Sequence, residues 1–83
     1  MQEISFWRRY SRKALQKGVE MALGEGVSLG NLPALSQKDA ARLLRICDSC
    51  YPFPRREGIA MGAWLKERSL LVLQIQSQIK EKV

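Results

Sequence analysis

WLKERSLLVLQIQSQI, residues 64–79, reads two ways. Leu73, Ile75, Ser77 and Ile79 alternate with Gln74, Gln76 and Gln78, the period of a half-exposed strand, whereas Trp64 to Arg68 leads in with residues that favour helix. A lone strand has no mate elsewhere in the chain, and even a paired hairpin is marginal in water. The segment is therefore expected to be helical. That helix can start at Pro54, where a missing backbone donor costs nothing, and run toward Lys82.

Its apolar arc is wide. Met61, Leu65, Val72, Ile79 and Val83 form the centre of the stripe, with Trp64, Leu71 and Ile75 on one flank, Leu73 on the other and Leu70 nearly behind. A helix apolar on most of its circumference has to be covered on most of it. Two short partner helices can hardly do so, which makes self-association into a dimeric helical bundle, or capture of a protein partner with Trp64, Leu71 and Ile75 as anchors, the expected remedy.

Upstream, Ser36 is followed three residues later by Asp39, with the apolar pattern starting at Ala40. A serine oxygen accepting from the first turn, with a carboxylate near the positive helix end, marks a helix start. Ala40, Leu43, Leu44, Cys47, Cys50 and Tyr51 then share one face, leaving Lys38, Arg42, Arg45 and Ser49 outside, and Pro52 ends the helix near residue 51.

A third amphipathic pattern covers residues 2–23. Ile4, Trp7, Ser11, Ala14, Leu15, Gly18, Met21 and Ala22 gather on one side, opposite Arg9, Arg12, Lys13, Gln16 and Lys17. Gly24, Gly26, Gly30, Asn31 and Pro33 make residues 24–35 a connector. The expected fold class is all-α: one three-helix domain over residues 1–83, with helices at about 2–23, 36–51 and 54–82 and the long C-terminal helix as its spine. Its 83 residues allow only a small core.

Charge is uneven. Residues 1–17 hold Arg8, Arg9, Arg12, Lys13 and Lys17 against one acid, Glu3, a net +4 of the chain's +6. A concentrated cationic field favours phosphate-rich partners over a dispersed one. Phe6 points to the polar side one turn from Arg9 and Tyr10, and an aromatic among cations can stack on bases while the cations hold phosphates. The same group suits lipid headgroups or a neighbouring subunit. Arg42, Arg45, Arg55 and Arg56 make a second basic group around the Pro52-Phe53-Pro54 turn, or pair with Asp39, Asp48 and Glu57 as an ordinary surface.

Catalytic signals are missing. There is no histidine to serve as general base, no phosphate-binding glycine motif, and Glu20, Glu25, Glu57 and Glu67 read as solvated helix faces. Cys47 and Cys50 form a C-x-x-C pair, but two ligands do not make a zinc site, and a position near a helix C-terminus opposes a reactive thiolate. Packing is the expected role of both. No apolar run reaches the length of a membrane span and the basic N-terminus is not a secretory signal, so a cytoplasmic location is expected. The expectation is a non-enzymatic module, without cofactor, metal or small-molecule substrate. It binds nucleic-acid backbone through Arg8, Arg9, Arg12, Lys13, Lys17 and Phe6, with Arg42, Arg45, Arg55 and Arg56 as a second contact. The competing expectation is a protein-docking adaptor or assembly subunit.

Overall fold

A computed structural model describes residues 2–53 and 58–81, with side chains for residues 5–53 and 58–78. Three α-helices, α1 (Gln2–Leu23), α2 (Gln37–Ser49) and α3 (Gly58–Glu81), account for the regular structure, and no strand occurs among the described residues. The fold is all-α, and the segment that alternates like a strand is helix throughout. The expected start of α3 at Pro54 lies outside the described residues.

Local chemistry explains the boundaries. Gly24 adopts φ 108, open to glycine at little cost, and its N–H donates to the Glu20 carbonyl at 2.8 Å as α1 ends. Ser36 caps α2 from an extended conformation, its Oγ accepting from the Asp39 N–H at 3.1 Å, with Asp39 in the first turn near the positive helix end. At the far end the Cys50 N–H donates to the Cys47 carbonyl at 3.0 Å, and Pro52 follows.

The hub is α1, not the long α3. Helix α1 packs closely against both others, while the backbones of α2 and α3 stay farther apart and meet through side chains. One residue explains how close α2 comes: a Cβ placed on Gly18 would lie 2.8 Å from both Cα and Sγ of Cys47. Only a glycine lets the backbones approach that far. Around this crossing Leu15, Val19, Leu43 and Cys47 are fully buried, and Leu71, Ile75 and Trp64 of α3 extend the same core. Val19 was missed in the sequence pattern because it sits at the edge of the apolar arc, whereas Met21, placed inside by the pattern, is 61% exposed.

Helix α3 is rotated from the expected phase. Its inner side is Ala63, Trp64, Glu67, Leu71 and Ile75, all buried, while Leu65, Leu70 and Leu73 are exposed and Met61 and Val72 half-buried. Trp64, Leu71 and Ile75, expected as anchors for a partner, are only 3%, 2% and 3% exposed in the chain's own core. They are not available to another protein in this conformation. The side chains of Ile79 and Val83, expected in the stripe, lie outside the described residues.

The connector is more than a break. Leu32 and Leu35 are buried in the core, and three glutamine side chains hold its backbone in place. Gln16 donates to the Val27 carbonyl at 3.0 Å and accepts from the Leu29 N–H at 2.9 Å. Gln74 donates to the Leu29 carbonyl at 2.8 Å and Gln78 to the Leu32 carbonyl at 2.9 Å. Two of the glutamines that suggested a strand, Gln74 and Gln78, are thus one turn apart on one face of α3, where they satisfy carbonyls the irregular connector cannot pair by itself, while Gln76 is exposed.

Candidate nucleic-acid interface

Because α1 has neighbours on two sides, its basic residues fall into two environments. Glu67 of α3, buried with its side chain 2% exposed, accepts from Arg8 Nε at 2.7 Å and from Arg12 Nη1 at 3.3 Å. Two guanidiniums converge on one carboxylate, so this pair of arginines projects about one net charge rather than two. Glu67 is therefore not a solvated surface acid. It sits three residues from Trp64 and four from Leu71, which places it on the inner stripe, and its burial is tolerable because both partners donate charge-assisted hydrogen bonds.

Arg9, Lys13 and Lys17 occupy the outward side of α1 at four-residue spacing, are exposed, and form no ion pair among the described residues. At 1.5 Å per residue they form a row roughly 12 Å long. Phe6 and Tyr10 stand beside them, 45% and 46% exposed, with ring centres 4.7 Å apart, and the Lys13 ammonium lies 5.9 Å from the centre of the Tyr10 ring.

These two rings end a longer series. Phe6 contacts Trp7 at 5.1 Å, Trp7 contacts Phe53 at 4.9 Å, Phe53 contacts Tyr51 at 5.3 Å, and Tyr51 contacts Trp64 at 5.2 Å, each nearly edge-to-face. All six aromatic residues of the chain thus form one row, from the buried indole of Trp64 to the exposed pair at the basic face. Edge-to-face packing is the favoured ring geometry, and the row fixes the start of α1 and the segment after α2 against α3.

The second basic group is only partly described. Arg42 and Arg45 are exposed on the outer side of α2 and form no ion pair among the described residues, and Arg55 and Arg56 lie outside those residues. Asp48, considered as a partner for these arginines, instead holds Arg68 of α3 in a forked contact at 2.7 and 3.0 Å. That hydrogen bonding pushes the Arg68 pKa further up.

The thiols are occupied with packing. Cys47 Sγ faces the Leu15 carbonyl at 3.7 Å and Cys50 Sγ faces Met21 Sδ at 3.8 Å. Burial, more than the charges of Cys50 and Asp48, pushes the Cys47 thiol up from 9.0 to about 12. It stays protonated at neutral pH and is a poor nucleophile.

Comparison with protein families, with curated proteins and with solved structures finds no match to this chain. Its own geometry carries the functional reading.

Two of the concave surfaces that border the helices bear on function. One is an apolar groove of about 450 Å³ between α2 and α3, lined by residues such as Ala40, Leu44, Val72 and Ile75. The other, about 500 Å³ and open to solvent, lies between α1 and the connector, with Arg9, Arg12, Lys13 and Gln16 on one wall and Ser28, Leu29 and Gly30 on the other. Sequence reasoning found the cations of this cleft but not its opposite wall. Helical spacing had put Gln16 on the polar side, and nothing local announces that it ties down a loop eleven residues away. No helix among the described residues is long and apolar enough to cross a membrane.

Proposed function

We propose that the protein is a small, basic, non-enzymatic helical module that binds nucleic-acid backbone without reading sequence, alone or as a subunit of a nucleoprotein assembly. The observation that carries the proposal is the outer face of α1. Arg9, Lys13 and Lys17 line up there without acid partners among the described residues, beside two exposed aromatic rings. Unpaired cations can replace the counterions of a phosphate backbone, whereas paired ones have first to leave their carboxylate. Arg12 and Arg8 contribute less than their number suggests, because they share Glu67. Arg42 and Arg45 supply the second contact.

The test is salt dependence. The three phosphate contacts of this row contribute about −2 to the log–log slope on a single strand, so affinity should drop at least about 20-fold between about 50 and about 200 mM salt. Changing Arg9, Lys13 and Lys17 to alanine should make that slope shallower by about 2, leaving only what the other basic residues contribute. Absence of binding at low salt, or a slope unaffected by the triple substitution, removes the proposal.

A second reading, an adaptor or assembly subunit in the cytoplasm, is supported by the exposed Leu65, Leu70 and Leu73 on the outward sides of α3. Exposed leucines on a helix of this length suit a helical partner or a second copy. Leu73→Asp should then lower the sedimenting mass while leaving the fold intact, and a monomeric wild-type chain excludes the dimer.

A further inference from the structure

The cleft between α1 and the connector offers more than a diffuse field. We infer that it seats a phosphodiester group of a single-stranded nucleic acid, with the neighbouring base stacked on Tyr10. This rests on the nucleic-acid reading above and narrows it to one strand form and one seat.

Three cations, Arg9, Arg12 and Lys13, line one wall of the cleft, and no acid lines either wall among the described residues. Arg12 gives one Nη to Glu67 at 3.3 Å, and a guanidinium has further N–H donors to offer. Glu67 lies behind Arg12, where Arg12, Leu29 and Gly30 also border a neighbouring cavity, and Glu20 accepts from Gln16 Nε2 at 2.9 Å rather than from a cation of the cleft. The opposite wall is fixed beforehand. Gln16 holds Val27 and Leu29, and the Asn31 side chain accepts from the Ser28 N–H at 2.6 Å, so the loop need not be ordered on binding.

Gly30 keeps the wall low. A Cβ there would meet nothing closer than Ser28 Oγ at 3.9 Å, so the free protein has room for a larger residue in a cleft that a phosphate group would otherwise fill. Lys13 connects the two halves of the site, lining the cleft while its ammonium stands over the Tyr10 ring, 5.9 Å from its centre, so that a base takes this face as the lysine turns to the phosphate. Duplex bases are already stacked on one another and show a ring no free face, whereas a single strand can place a base on Tyr10 while its phosphate lies among the cations.

Fluorescence anisotropy with a labelled oligothymidylate of about twelve residues, and with the same strand annealed to its complement, tests this at low salt. The single strand should bind about tenfold more tightly than the duplex, as expected when one base stacks on an aromatic ring. Gly30→Val, which changes no charge, should weaken single-strand binding several-fold. In the wild-type protein the Gly30 and Ser28 amide resonances should shift during the titration, which decides the matter if the variant folds poorly. Equal affinity for duplex and single strand overturns the inference, as does a folded Gly30→Val that binds like wild type, or amides that stay still; a surviving salt slope would leave the broader backbone-binding proposal intact. If neither form binds at low salt, both fall together.

Discussion

Helix α1 makes two seams of opposite character. Against α2 the contact is apolar and close, centred on Gly18 and Cys47, with the Leu15 carbonyl facing the thiol. Against α3 it combines apolar packing with a buried carboxylate held by two arginines. The first seam fixes a distance. The second fixes a rotation, because only one phase of α3 brings Glu67 to Arg8 and Arg12 while Gln74 and Gln78 reach the connector. The difference also decides which cations are free to act: the two beside α3 share one carboxylate and keep about half their charge, while those facing away have no acid partner among the described residues.

The close seam should break most severely. Gly18→Val puts a branched side chain where even a Cβ would stand 2.8 Å from the Cys47 Cα, a backbone atom that cannot swing aside. The helices must separate, at a cost of about 3 kcal/mol. Urea denaturation should show a large fall in midpoint, and a wild-type midpoint would mean that the crossing is looser than described.

The same seam carries a pH signature. The Cys47 thiol is pushed up from 9.0 to about 12 in the folded chain, so both states hold the proton below pH 9 and stability is unaffected there. As pH rises from 9 toward 12 the unfolded thiol ionises while the folded one does not, and stability is lost. At about pH 10.5 the wild type should have lost about 2 kcal/mol more than Cys47→Ala, relative to neutral pH. Parallel pH profiles for the two proteins would contradict the burial of the thiol.

The charged seam should break more gently, and with a gain elsewhere. Glu67→Gln keeps the shape but removes the charge that two guanidiniums share, and since those arginines are about half exposed they rehydrate readily. The cost should be about 1–2 kcal/mol. Net charge rises from +6 to +7, and Arg8 and Arg12 become available to phosphate. Oligonucleotide affinity should therefore increase several-fold while the melting temperature falls. If affinity drops instead, Glu67 positions those arginines for binding rather than withholding them.

The helical framework was legible in the sequence where its causes are local. The Ser36 cap with Asp39, the stop at Pro52 and the glycine at position 24 each act within a few residues, and the structure places α1 over Gln2–Leu23 and caps α2 at Ser36. The phase of α3 was not legible. Apolar residues occupy so much of its circumference that periodicity singles out no inner face. What sets the face is Glu67, whose partners lie 55 and 59 residues away in the chain, together with two glutamines that bind connector carbonyls. An acid spaced three residues after Trp64 and four before Leu71 is the one sequence signal that could have given the phase. The candidate site was legible as a set of cations on one helix face, and its division into paired and unpaired members needed that same distant acid.

Between the two seams lies Ser11, fully buried on the inner face of α1, its Oγ without a hydrogen-bond partner among the described residues. Its value at this position is its small size, since residues at the junction of three helices have to admit neighbours from both sides. A buried hydroxyl without a partner costs desolvation and returns nothing, and alanine favours helix slightly more than serine. Ser11→Ala should therefore leave stability unchanged or raise it by up to about 1 kcal/mol, with binding unaffected. A loss of more than that would show that the hydroxyl reaches a polar partner on a neighbouring helix. The junction would then be held by a polar contact, as the α3 seam is, rather than by the steric fit that governs the α2 seam.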